Sequence, residues 1–257
     1  MVPDLINEQI DVAGTLQALN RWGRVQIRDF LQPEAASSIH ECLARQVPWT
    51  LAICDEEGMR TIPNDEISAL SAEERRQFYE RIARSGSGGE YRFAYDSYMM
   101  PRAYLEGRDR HLILHSVLEF LNSARFISFM RDLGGDARLQ RIDAQATRYQ
   151  PGHFLRTHND EHSGEQRLFA YVLNLTRRWV PDWGGLLHFL DEDGQVVDVF
   201  MPHWNSLTLF RVPQRHHVSV VAPWAEEDRF AITGWGLATS TAHAAKERMD
   251  RLKSSTP

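Results

Sequence analysis

The chain has 257 residues, 42% of them hydrophobic and 25% charged, which is ordinary for a globular protein and long enough to bury a core. A formal net charge of -6 argues against a general binder of nucleic acid or anionic membrane, whose footprint is basic. The start, Met1 to Glu8, has no basic or apolar signal region, and no apolar run approaches the ~20 residues of a membrane span, so a soluble cytoplasmic protein is expected.

In chain order, Leu5, Ile6, Ile10, Val12, Leu16 and Leu19 recur at helical spacing and predict an amphipathic helix over 4–20. Residues 23–31 alternate as a half-buried strand does, and Pro33 then stands in a good position to start a helix running to about Arg45. Residues 49–54 read as a second strand, ended by the turn-prone Asp55-Glu56-Glu57-Gly58. Ser71 with Glu74 makes a capping-box start for a helix through Ile82. The two cysteines, Cys42 and Cys54, form no Cys-x-x-Cys pair and read as buried thiols.

Residues 85–90, Ser-Gly-Ser-Gly-Gly-Glu, have the most flexible composition in the chain and lead into the aromatic-rich 91–98. The plain reading is a surface loop and an edge strand; the sharper one is a lid whose Tyr91, Tyr95 and Tyr98 meet a substrate. Two short helices follow, over 112–122 and 124–133. From Arg138 the texture changes to short strands at 141–149, 169–175, 184–190, 206–210, 217–221 and 229–235, a spacing that implies a sandwich or barrel. Residues 241–253 look like a polar helix or tail. No repeat or linker divides the chain, so one domain over 1–257 is expected: a lead-in and lid to 137, a β core over 138–240, and a tail from 241.

Three features carry chemistry. His158 and Asp160 lie two positions apart, and on an extended strand such residues share a face. A distal histidine falls within residues 212–221, and two histidines with one carboxylate form the facial set that suits non-haem Fe(II). Arg229 opens an apolar strand, where a lone cation needs a reason. A facial triad leaves room for a bidentate 2-oxoacid and O2, and the far carboxylate of that acid needs a fixed guanidinium.

The order Tyr149-x-x-Gly-x-Phe-Leu-x-x-His158-x-Asp160, then Gly184-Gly185-x-Leu187, His216-x-Val218 and Arg229-x-x-x-x-Gly234-Trp235 resembles a known family. It is similar to the prolyl-4-hydroxylase-like Fe(II)/2-oxoglutarate-dependent oxygenases, in the branch of the ribosomal-protein and hypoxia-sensing prolyl hydroxylases. The resemblance is strongest over 141–236 and weaker over the lead-in at 25–31.

The resemblance implies a mainly β, double-stranded β-helix (jelly-roll, cupin-like) core with flanking N-terminal helices. It implies Fe(II), 2-oxoglutarate as cosubstrate and O2, with ascorbate a further candidate, and hydroxylation of an unactivated C–H with release of succinate and CO2. By that resemblance His158, Asp160 and His216 ligate iron. His216 is preferred to His217 because Val218 fixes the His-x-Val register and strand alternation admits only one of the pair. Arg229 pairs with the C5 carboxylate of 2-oxoglutarate, Thr233 lines the same pocket, and Tyr149 hydrogen-bonds the cosubstrate. Tyr171 is a further contact. Leu173 stands where some relatives carry a tyrosine.

Asp160 favours hydroxylation, because related halogenases replace that carboxylate to admit chloride. His153, His162, His188 and His203 have no counterpart in the pattern and are assigned to supporting, substrate-side or solvated positions. Trp235 is expected in the core, and Gly184-Gly185 in a tight turn or bulge. The implied substrate is a prolyl residue of a peptide or protein, with Arg167 and the tyrosines of 91–98 as candidate contacts. A small-molecule hydroxylase, a silent 2-oxoglutarate or metal sensor, and a zinc hydrolase or isomerase are the alternatives. Neither a nucleic-acid nor a membrane partner is expected, and the oligomeric state is left open.

Overall fold

The computed structural model describes residues 5–84 and 91–238. Its first helix, α1 (Val12–Trp22), starts later than the apolar spacing predicts, because Asp11 caps it by accepting from the Gly14 N–H at 2.9 Å. Upstream, Ile6 instead bridges to Leu31, with the Asn7 N–H donating to the Phe30 carbonyl. Gly23, at φ 71°, closes α1 and turns the chain into β1 (Arg24–Ile27), shorter than expected. α2 (Pro33–Arg45), β2 (Thr50–Asp55), β3 (Gly58–Pro63) and α3 (Asn64–Ser68) follow, and the Asp55–Gly58 turn joins a β2–β3 hairpin whose second strand was not anticipated.

α4 (Ala72–Arg84) has its expected capping box, with Glu74 accepting from the Ser71 N–H at 2.9 Å. The lid expectation over 85–90, like that for the tail at 241–253, lies outside the described residues. β4 (Phe93–Met99) is no edge strand: it pairs with β2 and with two strands of the core described next. α5 (Met100–Glu106), α6 (Leu114–Leu121) and α7 (Ala124–Gly134) lead to the β core.

There the strand expected over 141–149 breaks into β5 (Arg141–Ile142) and β6 (Gln145–Tyr149). β7 (Phe154–His158), β8 (Arg167–Asn174), β9 (Leu187–Leu190), β10 (Val196–Phe200), β11 (Ser206–Arg211), β12 (His216–Val218) and β13 (Arg229–Leu237) complete the set; β10 was unforeseen, and its Val196, Val197 and Val199 are exposed.

Every pairing is antiparallel, along the path β1-β11-β8-β13-β6-β4-β7-β12-β9-β10. The ends of this path meet through side chains: Arg24 Nε lies 2.9 Å from Asp198 Oδ2, and Gln26 Nε2 donates to the Met201 carbonyl. The sheet therefore nearly closes into a jelly-roll barrel. Alternation gives it two faces. Phe169, Leu173 and Ile232 pack outward into the main core with Leu43, Met130 and Leu133 of the helices, while Tyr149, Ala170, Phe189 and Phe210 cluster inside. Cys42 and Cys54 are free and buried, as expected. Among the described residues no helix is long and apolar enough to cross a membrane.

Candidate metal centre and anion pocket

β7 and β12 pair with His216 directly opposite His158, which brings both imidazoles inside the barrel mouth with ring centroids 4.1 Å apart. Asp160 completes the group, though not by the strand alternation expected. β7 ends at His158, and Asp160 sits beyond it in a turn with φ 63°, a left-handed conformation that aspartate tolerates. One residue in that conformation swings the carboxylate back: Oδ1 lies 3.3 Å from His158 Nε2 and Oδ2 lies 3.4 Å from His216 Nε2. The three ligand atoms lie within 4.8 Å of one another, the sole group of three or more His, Cys, Asp or Glu among the described residues that could hold a metal.

The protonation pattern suits a cation. His158 Nδ1 faces the Arg156 carbonyl at 3.0 Å and His216 Nδ1 faces the Gln214 carbonyl at 2.8 Å. A carbonyl only accepts, so each Nδ1 carries the proton and each Nε2 presents a lone pair. Burial, aided by the charge of His158, pushes the His216 imidazole down to about 4 against the opposing pull of Asp160, so His216 is neutral at pH 7. Burial alone would raise the Asp160 carboxyl, but the two imidazoles beside it outweigh this and leave it below its ordinary value, so it is ionised. Two lone pairs and a carboxylate facing one another repel unless a cation sits among them. The donor set, two imidazoles and one carboxylate, fits Fe(II).

A cavity of about 100 Å³ runs inward from the triad to Arg229. Arg229 is 3% exposed, and its Nε and Nη1 are buried without a hydrogen-bond partner. Among the described residues no carboxylate lies within ion-pair distance of it. An unpaired buried charge costs several kcal/mol, so an anionic ligand in this cavity would offset a standing penalty. Gly184 and Gly185 take positive φ, 64° and 60°, where Gly184 ends the short helix Pro181–Trp183 and bridges to Val221, in place of the tight turn or bulge expected. A Cβ at Gly184 would meet the Val220 carbonyl at 2.1 Å, and Gly185 packs beside the aliphatic part of Arg229.

Tyr149 and Thr233 line this cavity with Arg229. Burial raises the Tyr149 hydroxyl well above its usual value, so it stays protonated and able to donate. Tyr171 borders the cavity, but its side chain shares the outer face of β8 with Leu173 and its hydroxyl donates to the Asp143 carbonyl at 2.9 Å. Leu173 packs in the helix-side core, away from the cavity. The β8 residue that faces Thr233 inside the barrel is Val172, so the site placed at Leu173 moves by one.

Gln145 and Thr147 also line the cavity and were missed. Their signal was available: they sit opposite Thr233 and Ala231 on the alternating β6.

Around the mouth, Tyr91 packs on His158 with centroids 5.3 Å apart, and Tyr95 stacks on Tyr149 at 5.2 Å. Tyr98 departs from the expected trio, pointing into the core with its hydroxyl bonded to Asp109. Trp235 is not simply core: its indole lines the cavity, and the Arg167 guanidinium stacks on it at 3.7 Å while donating to the Asp160 carbonyl. His153 is a structural residue, fully buried.

Residues 144–236 match the 2OG-Fe(II) oxygenase superfamily. A mouse protein, "Prolyl 3-hydroxylase OGFOD1", is 32% identical over 127 residues, covering 47% of this chain and 23% of that protein. Its Xenopus laevis counterpart is 34% identical over 101 residues, 37% of this chain and 19% of that one, so the matches span less than a quarter of these relatives. A Pseudomonas putida prolyl-4-hydroxylase superposes with a TM-score of 0.54 at 18% identity, over 89% of this chain and 100% of that one. A Trichoplax adhaerens prolyl hydroxylase, solved with a hypoxia inducible factor oxygen degradation domain peptide fragment, gives 0.57 at 17% identity, over 88% and 89%. At such identities the structural likeness is one of fold.

Proposed function

We propose that the chain, whose residues 144–236 match the 2OG-Fe(II) oxygenase superfamily, is an Fe(II)- and 2-oxoglutarate-dependent dioxygenase that hydroxylates a prolyl residue of a peptide or protein. The observation that carries the reading is Arg229: a buried guanidinium with no carboxylate partner among the described residues, in the same cavity as His158, Asp160 and His216. A cation site and an anion site facing each other along one narrow cavity suit a dicarboxylate with a metal-chelating end.

In this reading His158, Asp160 and His216 hold the metal on one face. Arg229 fixes the far carboxylate, with Thr233 and the protonated Tyr149 as additional donors. When bound, the Fe(II) and 2-oxoglutarate pair supplies the oxygen chemistry that couples decarboxylation to hydroxylation, with succinate and CO2 as co-products. The protein orients both groups and lines the space between them with Val172, Leu187 and Phe210, which limits water. Tyr91, Arg167 and Trp235 form the outer wall, where a peptide would enter. The prolyl assignment rests on the named relatives, since fold and cofactor do not set a substrate.

The test is a screen of proline-containing peptides with Fe(II), 2-oxoglutarate and O2. Hydroxyproline formed in step with succinate, and lost in Asp160→Ala, is the expected result, and fragment spectra identify the carbon modified. Succinate formed in step only with oxidation of a free small molecule would remove the protein-substrate assignment.

A further inference from the structure

His188 of β9 and His217 of β12 are direct cross-strand partners on the outer face of the barrel. Strand alternation turns His216 inward to the triad and its neighbour His217 outward. The two rings stack with centroids 4.6 Å apart and planes only 16° apart. The Nδ1 of each is buried without a hydrogen-bond partner. Among the described residues no hydrogen bond or carboxylate engages either ring. The next outward residue across the sheet, Val199 on β10, is 42% exposed, so no wall covers the pair on that side.

We propose that His188 and His217 form a second transition-metal site, separate from the His158–Asp160–His216 group, which takes a borderline divalent cation such as Zn2+ with water completing its shell. Two imidazoles with unused nitrogens on adjacent strands gain little from each other, since apolar side chains would pack there without stranding polar atoms. A metal uses what they offer. Imidazole suits Zn2+, Cu2+ and Ni2+, while the lack of an oxygen ligand disfavours Mg2+ and Ca2+. Two nitrogens on one tetrahedral zinc, each at about 2.0–2.1 Å, stand roughly 3.3 Å apart. With centroids 4.6 Å apart and planes 16° apart the in-plane lone pairs run nearly parallel, so binding requires the two rings to splay about their side-chain torsions until one nitrogen of each converges on the ion. β12 is three residues long, so a cation on its outer face would brace the strand that presents His216 inside.

This site does not depend on the proposed reaction, and its test does not read turnover. The full chain, loaded anaerobically with Fe(II) and 2-oxoglutarate, is dialysed to equilibrium against Zn2+, and both metals are counted. The expected result is retained iron plus one further zinc, with the zinc lost and the iron kept in His188→Gln and in His217→Gln. The two variants lie on different strands, so poor folding of one leaves the other to decide. Zinc bound only as iron is displaced, or zinc uptake unchanged in a folded variant, overturns the proposal. With Cu2+ in place of Zn2+, electron paramagnetic resonance should show two equatorial nitrogens in the wild type and one in either variant.

Discussion

Tyr149 and Arg229 stand directly opposite each other on β6 and β13, with the guanidinium carbon 5.1 Å from the tyrosine ring centroid. Among the described residues the guanidinium has no ion-pair partner, and the ring contact is worth roughly 0.5–2 kcal/mol, too little to offset burying an arginine. In the proposed reading, Arg229 is held at a cost to stability for the sake of a ligand. Arg229→Gln should weaken 2-oxoglutarate binding at least about tenfold, roughly 1.4 kcal/mol, while leaving the ligand-free protein as stable or more so. Equilibrium titration and urea unfolding check the two halves; a marked loss of stability with unchanged affinity would make the residue structural.

The inward and outward members of the His216-His217 pair should separate cleanly. His216→Ala removes one of three ligand atoms and should abolish iron retention. His217→Ala alters the outer face and should keep it. Metal analysis after dialysis reads the difference, and the reverse ranking would mean that β12 is out of register by one residue.

The shift from Leu173 to Val172 predicts a second separation. Leu173→Ala opens a hole in the helix-side core and should cost about 2–5 kcal/mol, with 2-oxoglutarate affinity preserved in the protein that folds. Val172→Ala enlarges the cavity and should act on affinity, with a smaller stability cost. Thermal unfolding and ligand titration of both variants decide between the two registers.

His153 predicts an acid-side effect on folding. The Gln150 N–H donates to its Nδ1 at 3.1 Å and its Nε2 faces the Tyr79 hydroxyl at 2.8 Å, so the ring is held neutral. Burial pushes it down to about 3, opposed by the Arg148 carbonyl, to which only a protonated Nδ1 could donate, with the charges of Arg148 and Arg75 acting in the same direction as burial. Its folded value lies below the unfolded one near 6.5, so between those values the unfolded chain takes up a proton that the folded chain refuses. The stability associated with the neutral ring is present above about pH 6.5 and falls as pH drops towards 3, by up to about 1.4 kcal/mol per pH unit. His153→Gln should lower stability at pH 7 yet flatten this dependence. An unchanged slope of unfolding free energy between pH 4 and 6 would contradict the assignment.

The contrast between what was legible in the sequence and what was not has a physical pattern. Strong local signals held: Pro33 opens α2, Ser71 and Glu74 cap α4, and alternation along β13 puts Arg229 and Thr233 on one face. Motif spacing also brought His158, Asp160 and His216 forward as a set. The backbone that unites them was not readable, because the positive φ at Asp160 is fixed by the turn after β7 and not by composition. The β8 register slipped by one because 168–173 is nearly continuously apolar, both faces being buried, and such a run carries no alternation to read. Tyr98 was misassigned for a related reason, since β4 is buried on both sides and its aromatics divide between cavity and core.

The most direct test of the central claim is an anaerobic titration of Fe(II)-loaded protein with 2-oxoglutarate, followed by visible absorption. The account predicts a saturable metal-to-ligand charge-transfer band that needs Asp160 for iron and Arg229 for affinity, so that Asp160→Ala shows none and Arg229→Gln shows it only at much higher 2-oxoglutarate. Iron bound at the triad with no band at any 2-oxoglutarate concentration would contradict it, and the pairing of cation site with anion pocket would have to serve another ligand.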